Sequence, residues 1–270
     1  MPDVTLSAAA FGGQPGCWPL PTATTPHQRW LRAVAAGGQG RYGSACGDLE
    51  ALLRCRPAGR LASLAHSTQG SFLRQLGWHT LARRWDGRAL TLAGDDPEAR
   101  ADGLIGLAAD ALGVGRFAAA ATLLSRVELS AGDAPHRSAV RRSWVAAELA
   151  MATGAGSAAV AHAEAAVDLA AEAVFEPVTG AVSERHCVKS QMVLAAALCS
   201  AGDLDRARTV GDAAFEAAGR LGLVPLRWAL ACLLVDIGST GHPTSELQAL
   251  RDSCAEQVRH AGGSWARATA

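Results

Sequence analysis

The sequence predicts an all-α protein, and three observations carry that prediction. Alanine makes up about a fifth of the 270 residues, and it is the strongest helix former. The residues that sheets and tight hairpins favour are scarce, with two Ile, one Tyr, five Phe and no Asn. From His27 onward, apolar residues recur at helical spacing in segments broken by Gly or Pro.

The elements follow in order. Residues 1–26 hold five prolines among Gly, Thr and Ser with almost no charge, and read as a flexible or irregular arm. Helices are predicted near 27–38, 42–55, 60–76, 78–92, 98–113, 116–129, 135–153, 157–174, 183–201, 204–221, 224–237 and 244–260. Breaks fall at Gly37–Gly40, Pro57–Gly59, Gly94–Pro97, Gly132–Pro135 and Gly238–Gly241. Together these helices make one domain over 27–262, followed by a tail over 263–270.

Internal repetition organises the helices. Gly40, Gly77, Gly115, Gly154, Gly202 and Gly238 each stand where one helix turns into the next, with spacings between 36 and 48 residues. Five residues after each of the first five comes an alanine (Ala45, Ala82, Ala120, Ala159 and Ala207), and the sixth departs with Pro243. Seven residues before each comes Ala33, Gly70, Ala108, Ala147, Ala195 or Ala231. A glycine lets the chain leave a helix through a left-handed residue, and small neighbours let the paired helices approach closely. The longest spacing, Gly154 to Gly202, carries about ten extra residues, which we place at 175–182.

The turns Gly40-Arg41-Tyr42-Gly43-Ser44-Ala45, Gly115-Arg116-Phe117-Ala118-Ala119-Ala120 and Gly202-Asp203-Leu204-Asp205-Arg206-Ala207 resemble the tetratricopeptide repeat, TPR. The resemblance covers roughly residues 27–261, with degenerate repeats and a longer period than the family's. It implies a right-handed α-solenoid of about six helix-turn-helix hairpins. It also implies a concave groove on the first helix of each hairpin, where proteins of the family hold a peptide or helix of a partner. TPR-like domains occur in bacterial transcription regulators and peptide sensors.

Candidate groove residues follow from that frame. Trp30, Trp144 and Trp228 each stand ten residues before a turn glycine. They face either the groove or the interface within a hairpin, and the interface is the preferred reading because large aromatics dominate cores. Arg137, Arg141 and Arg142 cluster at one helix start. They read either as a clamp for an acidic peptide or a C-terminus, or as a solvated face. Glu148, Gln191 and Asp236 are further polar side chains on the same set of helices. Leu247, Leu250, Cys254 and Val258 form an apolar stripe on the last helix, fit either to cap the array or to make a homodimer through the terminal repeats.

Several function classes are disfavoured. Twenty-five basic and 25 acidic side chains balance, so no excess positive charge exists to hold a nucleic acid directly. No stretch is apolar and long enough for a membrane span or a signal peptide. Seven scattered cysteines fit free thiols in a reducing cytoplasm. Gly113-Val114-Gly115-Arg116-Phe117-Ala118 meets a dinucleotide-loop pattern but follows a helix, not the strand that such a site needs. His162-Ala163-Glu164 lacks the cysteine pair that would complete a zinc deaminase motif. His186-Cys187, with Cys199 or His162, makes at most half a metal site and reads better as a partly buried pair. No catalytic residue, metal ligand or cofactor motif is selected. The expectation is a non-catalytic, cytoplasmic adaptor that binds another protein or peptide, with a regulatory partner. The alternatives are a helical-shell small-molecule sensor or enzyme, and a self-associating structural protein.

Overall fold

The computed structural model describes residues 2–127, 136–172, 174–176 and 181–266. Its helices are α1 (Pro2–Phe11), α2 (Pro26–Gly38), α3 (Tyr42–Arg54), α4 (Gly59–Gln75), α5 (His79–Leu92), α6 (Pro97–Gly113), α7 (Phe117–Ser125), α8 (His136–Ala152), α9 (Gly156–Glu172), α10 (Glu184–Ala201), α11 (Leu204–Arg220), α12 (Val224–Ile237) and α13 (Thr244–His260). Among the described residues the fold is all-helical apart from one short ribbon of β1 (Val174–Glu176) and β2 (Ala181–Val182), which pair antiparallel. α2 to α13 are the twelve helices that the periodicity predicts.

The turns explain why the elements stop where they do. All six repeat glycines have positive φ, from 75° to 88°, a region costly for any side chain with a Cβ. In the first five turns the amide after the glycine donates back to a carbonyl five residues earlier, as from Arg41 to Ala36 and from Asp203 to Leu198, at 2.8–3.0 Å. This closure satisfies carbonyls that the helix end leaves free. The sixth turn differs because Pro243 delays the next helix. There Ser239 Oγ and the Thr240 amide donate to the Asp212 carboxylate at 2.6 and 2.8 Å, bracing the longer loop. Helix starts carry their own signals: Thr25 caps α2 in a reciprocal box with Gln28, and Asp96 caps α6 ahead of Pro97.

Packing follows the small residues. The five alanines after the turns and the five alanines before them are all fully buried. Each even-numbered helix from α2 to α12 packs on the odd-numbered helix that follows it, and the even helices also touch one another in succession. The even helices therefore form an inner layer. The last helix returns to the first ones: Val258 joins the core of α1 to α4, and the Gly43 amide donates to the Ala261 carbonyl at 2.7 Å. The apolar stripe of α13 is used within the chain, with Leu247, Cys254 and Val258 buried and Leu250 packed against the α11–α12 core.

Three expectations need correction. Residues 2–11 are helical and packed, with Leu6, Ala9, Ala10 and Phe11 buried. Their stripe at i, i+3, i+4 is too short to stand out in a proline-rich segment, and docking on α2 supplies the stability that so short a helix lacks. Residues 12–24 are irregular, as expected, but fastened: Gln39 Nε2 donates to the Pro15 and Cys17 carbonyls at 2.8 and 3.0 Å. The start of the tail is also part of the body. Trp78 Nε1 donates to the Ser264 carbonyl at 2.6 Å, the Ala266 amide donates to the Leu76 carbonyl at 2.8 Å, and Trp265 packs on Trp228. Finally, the extra segment at 175–182 contributes to a strand pair beside α1 and α8 where only a loop was expected. Positions 177–180, like the end of the helix placed at 116–129, lie outside the described residues.

Candidate functional site

The inner layer lines a cavity of about 470 Å³ to which all six even-numbered helices from α2 to α12 contribute. That volume lies in the range of pockets for small molecules. Its apolar lining includes five aromatic rings, those of Phe11, Trp30, Phe72, Trp144 and Trp228. Two of the indoles bridge successive inner helices. Trp30 Nε1 of α2 donates to Thr68 Oγ1 of α4 at 3.0 Å, and Trp144 Nε1 of α8 donates to Ser190 Oγ of α10 at 2.8 Å. With its N–H engaged, each ring offers the cavity an apolar face. His186 stacks on Trp144 at 5.3 Å, and Phe11 lies 5.4 Å from Trp30.

Charge lines the cavity as well. Arg74, Arg137, Arg141, Arg185 and Lys189 reach it, against the carboxylates of Asp102 and Glu148. Arg137 binds Glu98 at 2.7 Å and Asp102 at 2.6 Å, Arg141 shares Asp102, and Arg60 reaches Glu98 from the other side. Burial alone would push the Asp102 carboxyl up; Arg137 and Arg141 outweigh it and hold the group below the ordinary carboxylate range. Burial, reinforced by Arg185, Arg137 and Arg141, pushes the His186 imidazole well down, so it stays neutral.

A second buried group stands behind the wall. Arg74 binds Asp86 and, at 3.0 Å, Asp110, and both carboxyls are fully buried. One guanidinium cannot hold two adjacent carboxylates fully ionised. Burial, with Asp86 alongside, pushes Asp110 up to about 7 against the pull of Arg74. A carboxyl whose folded pKa is raised stabilises the fold most below its ordinary value of 3.8, and this contribution is lost as pH rises through about 7. Thermal midpoints are therefore expected to fall between about pH 5 and about pH 8, and to fall less in Asp110→Asn. An equal slope in the variant would refute the assignment. Asp102 has the opposite sign: its contribution is present at neutral pH and lost in acid.

The structure brings together six of the eight residues chosen from the sequence at this cavity, namely Trp30, Arg137, Arg141, Trp144, Glu148 and Trp228. Gln191 and Arg142 are not part of its lining, and Asp236 is exposed on α12. The tryptophans face the cavity between inner helices, not the interface within a hairpin. Arg137 and Arg141 are not a solvated face, since their side chains are 11% and 15% exposed and ion-paired. Sequence reasoning missed Arg74, Asp102, Arg185 and Lys189. A usable signal existed: Arg60, Glu98 and Arg137 stand 38 and 39 residues apart, and Arg74 and Asp110 stand 36 apart. Opposite charges one repeat apart face each other across adjacent inner helices.

No protein-family model matches this chain, and no curated protein sequence matches it either. Among the described residues, no three His, Cys, Asp or Glu side chains are grouped to hold a metal ion. Cys187 donates to the Ala170 carbonyl at 3.4 Å, and all seven cysteines are free thiols. No helix among the described residues is long and apolar enough to cross a membrane.

Proposed function

We propose that this chain is a degenerate TPR-like array of six hairpins, α2–α3 through α12–α13, wound into a right-handed solenoid, and that it is a non-catalytic receptor for a small ligand held in its central cavity. One observation carries the reading: the inner helix of every hairpin contributes to the same 470 Å³ cavity. An α-helix is about 10–12 Å across with its side chains, so a space of this volume suits a compact molecule better than a partner's helix. The aromatic walls supply contact area and the ion-paired arginines supply polar anchors, the usual make-up of a ligand pocket. Occupation would brace inner helices from both ends of the chain at once, which is how a sensor reports its ligand to a regulatory partner. The peptide-adaptor reading rests on the TPR resemblance and would need room on this inner face for a partner's chain.

The test uses the environment-sensitive neutral dye Nile red and a variant that fills the cavity, Ala109→Trp. Saturable one-to-one binding by the unmodified protein, weakened about tenfold or more in the variant with helical content unchanged, supports the reading. Equal binding by both proteins places the dye elsewhere and sinks it.

A further inference from the structure

Charge pairing around the cavity leaves one guanidinium aside. Arg137, Arg141 and Arg74 are tied to buried carboxylates, and Lys189 meets Glu148 at 3.2 Å. Arg185, in the first turn of α10, forms no ion pair with an acidic side chain among the described residues. Its recorded partners are the Ala10 carbonyl, at 3.2 Å from Nη2, and the ring of Phe11, at 5.9 Å. A guanidinium carries five N–H donors in a planar fork that matches carboxylate or phosphate oxygens. Here most of that fork is unused, on a side chain that lines the cavity.

The surroundings favour a negative guest. Lys189 follows Arg185 by four residues on the same face of α10, an arrangement of like charges that destabilises a helix without a counter-charge between them. Five cationic side chains line the cavity; Asp102 and Glu148 in the lining, with Glu98, Asp86 and Asp110 behind it, answer four of them and leave Arg185 over. Burial, together with Arg137 and Arg141, lowers the Arg185 pKa to about 10, so the group remains cationic at neutral pH. Beside it lie the apolar faces of Phe11, Trp30 and Trp144, which an anion alone would leave uncovered.

We infer that the cavity takes an amphipathic anion, its carboxylate or phosphate head on Arg185 with Lys189 nearby and its apolar body against the aromatic wall. This deepens the pocket reading above and rests on it. The experiment is calorimetric titration of the whole protein with four probes built on a ten-carbon chain: decanoate, decyl phosphate, decanol and decyltrimethylammonium. The expected result is that one or both anions bind about tenfold more tightly than decanol, with the ammonium weakest. Decanoate ahead of decyl phosphate identifies a carboxylate head, and the reverse order a phosphate.

Arg185→Gln keeps a polar side chain but loses the charge, and should bring the anions to the level of decanol. Gly38→Asp is the second variant. A Cβ at Gly38 would stand 3.0 Å from Arg185 Cδ, so the new carboxylate would sit beside the guanidinium as a built-in guest. It should abolish the preference for anions. Equal binding of all four probes, tightest binding of the ammonium, or an anion preference intact in Arg185→Gln overturns the inference while the pocket stands. Binding of none of the four probes overturns the pocket as well.

Discussion

Replacing Asp102 with alanine is expected to destabilise the protein by about 3–5 kcal/mol, as breaking a buried ion pair from one side does. Asp102 is the shared acceptor of two guanidiniums: Arg137 donates to one oxygen at 2.6 Å and Arg141 to the other. All three side chains are enclosed between α6 and α8. In the variant Arg137 keeps Glu98, but Arg141 loses the one ion pair it has among the described residues and is left facing Arg137, Arg74 and Arg185. Like charges at such spacing repel strongly where water is scarce. Urea unfolding of the variant measures the loss directly. Arg141→Met removes one charge and leaves Asp102 paired with Arg137, so it should cost less, and adding it to Asp102→Ala should recover part of the loss. A cost below about 1 kcal/mol for Asp102→Ala would mean that the site is wetter than the geometry shows.

This network also shows where the sequence was legible. The six turn glycines and the buried alanines stood out because each repeats a purely local demand, a left-handed residue or a close helix contact. Twelve helices could be placed from those marks. The cavity could be read only in part, because its chemistry is non-local. Arg137 was visible as a charge, but its meaning depends on Glu98 and Asp102 in the preceding inner helix. Trp30 was visible as a repeat position, but whether it faced its own hairpin or the next inner helix depended on Thr68. The first helix was hidden for another reason. Ten residues with one buried leucine and one buried phenylalanine hold their shape only through what they dock on. The return of Ala261 to Gly43 joins the end of α13 to the start of α3, a contact between distant parts of the chain that no single repeat encodes.

The second large effect falls at the one repeat position where glycine replaces the buried alanine. Gly70 of α4 stands where the other repeats have Ala33, Ala108, Ala147, Ala195 and Ala231. By helix propensity alone, Gly70→Ala should stabilise by up to about 1 kcal/mol. The structure predicts the opposite sign. A Cβ at Gly70 would overlap the carboxylate of Asp86, and one at Gly106 of α6 would overlap its other edge. Asp86 reaches from α5 between two helices that only glycine leaves thin enough, and there it meets Arg74. Shifting this carboxylate strains the ion pair, and overpacking of this kind costs about 1–3 kcal/mol. We therefore expect Gly70→Ala to be destabilising by about 2 kcal/mol in denaturant unfolding. A double-mutant cycle isolates the cause. Asp86→Ala is itself destabilising, since it leaves Arg74 with Asp110 alone, but it empties the space that the new methyl needs. In that background Gly70→Ala should be neutral or stabilising. If it is equally destabilising with and without Asp86, the carboxylate is not what keeps alanine out of this repeat.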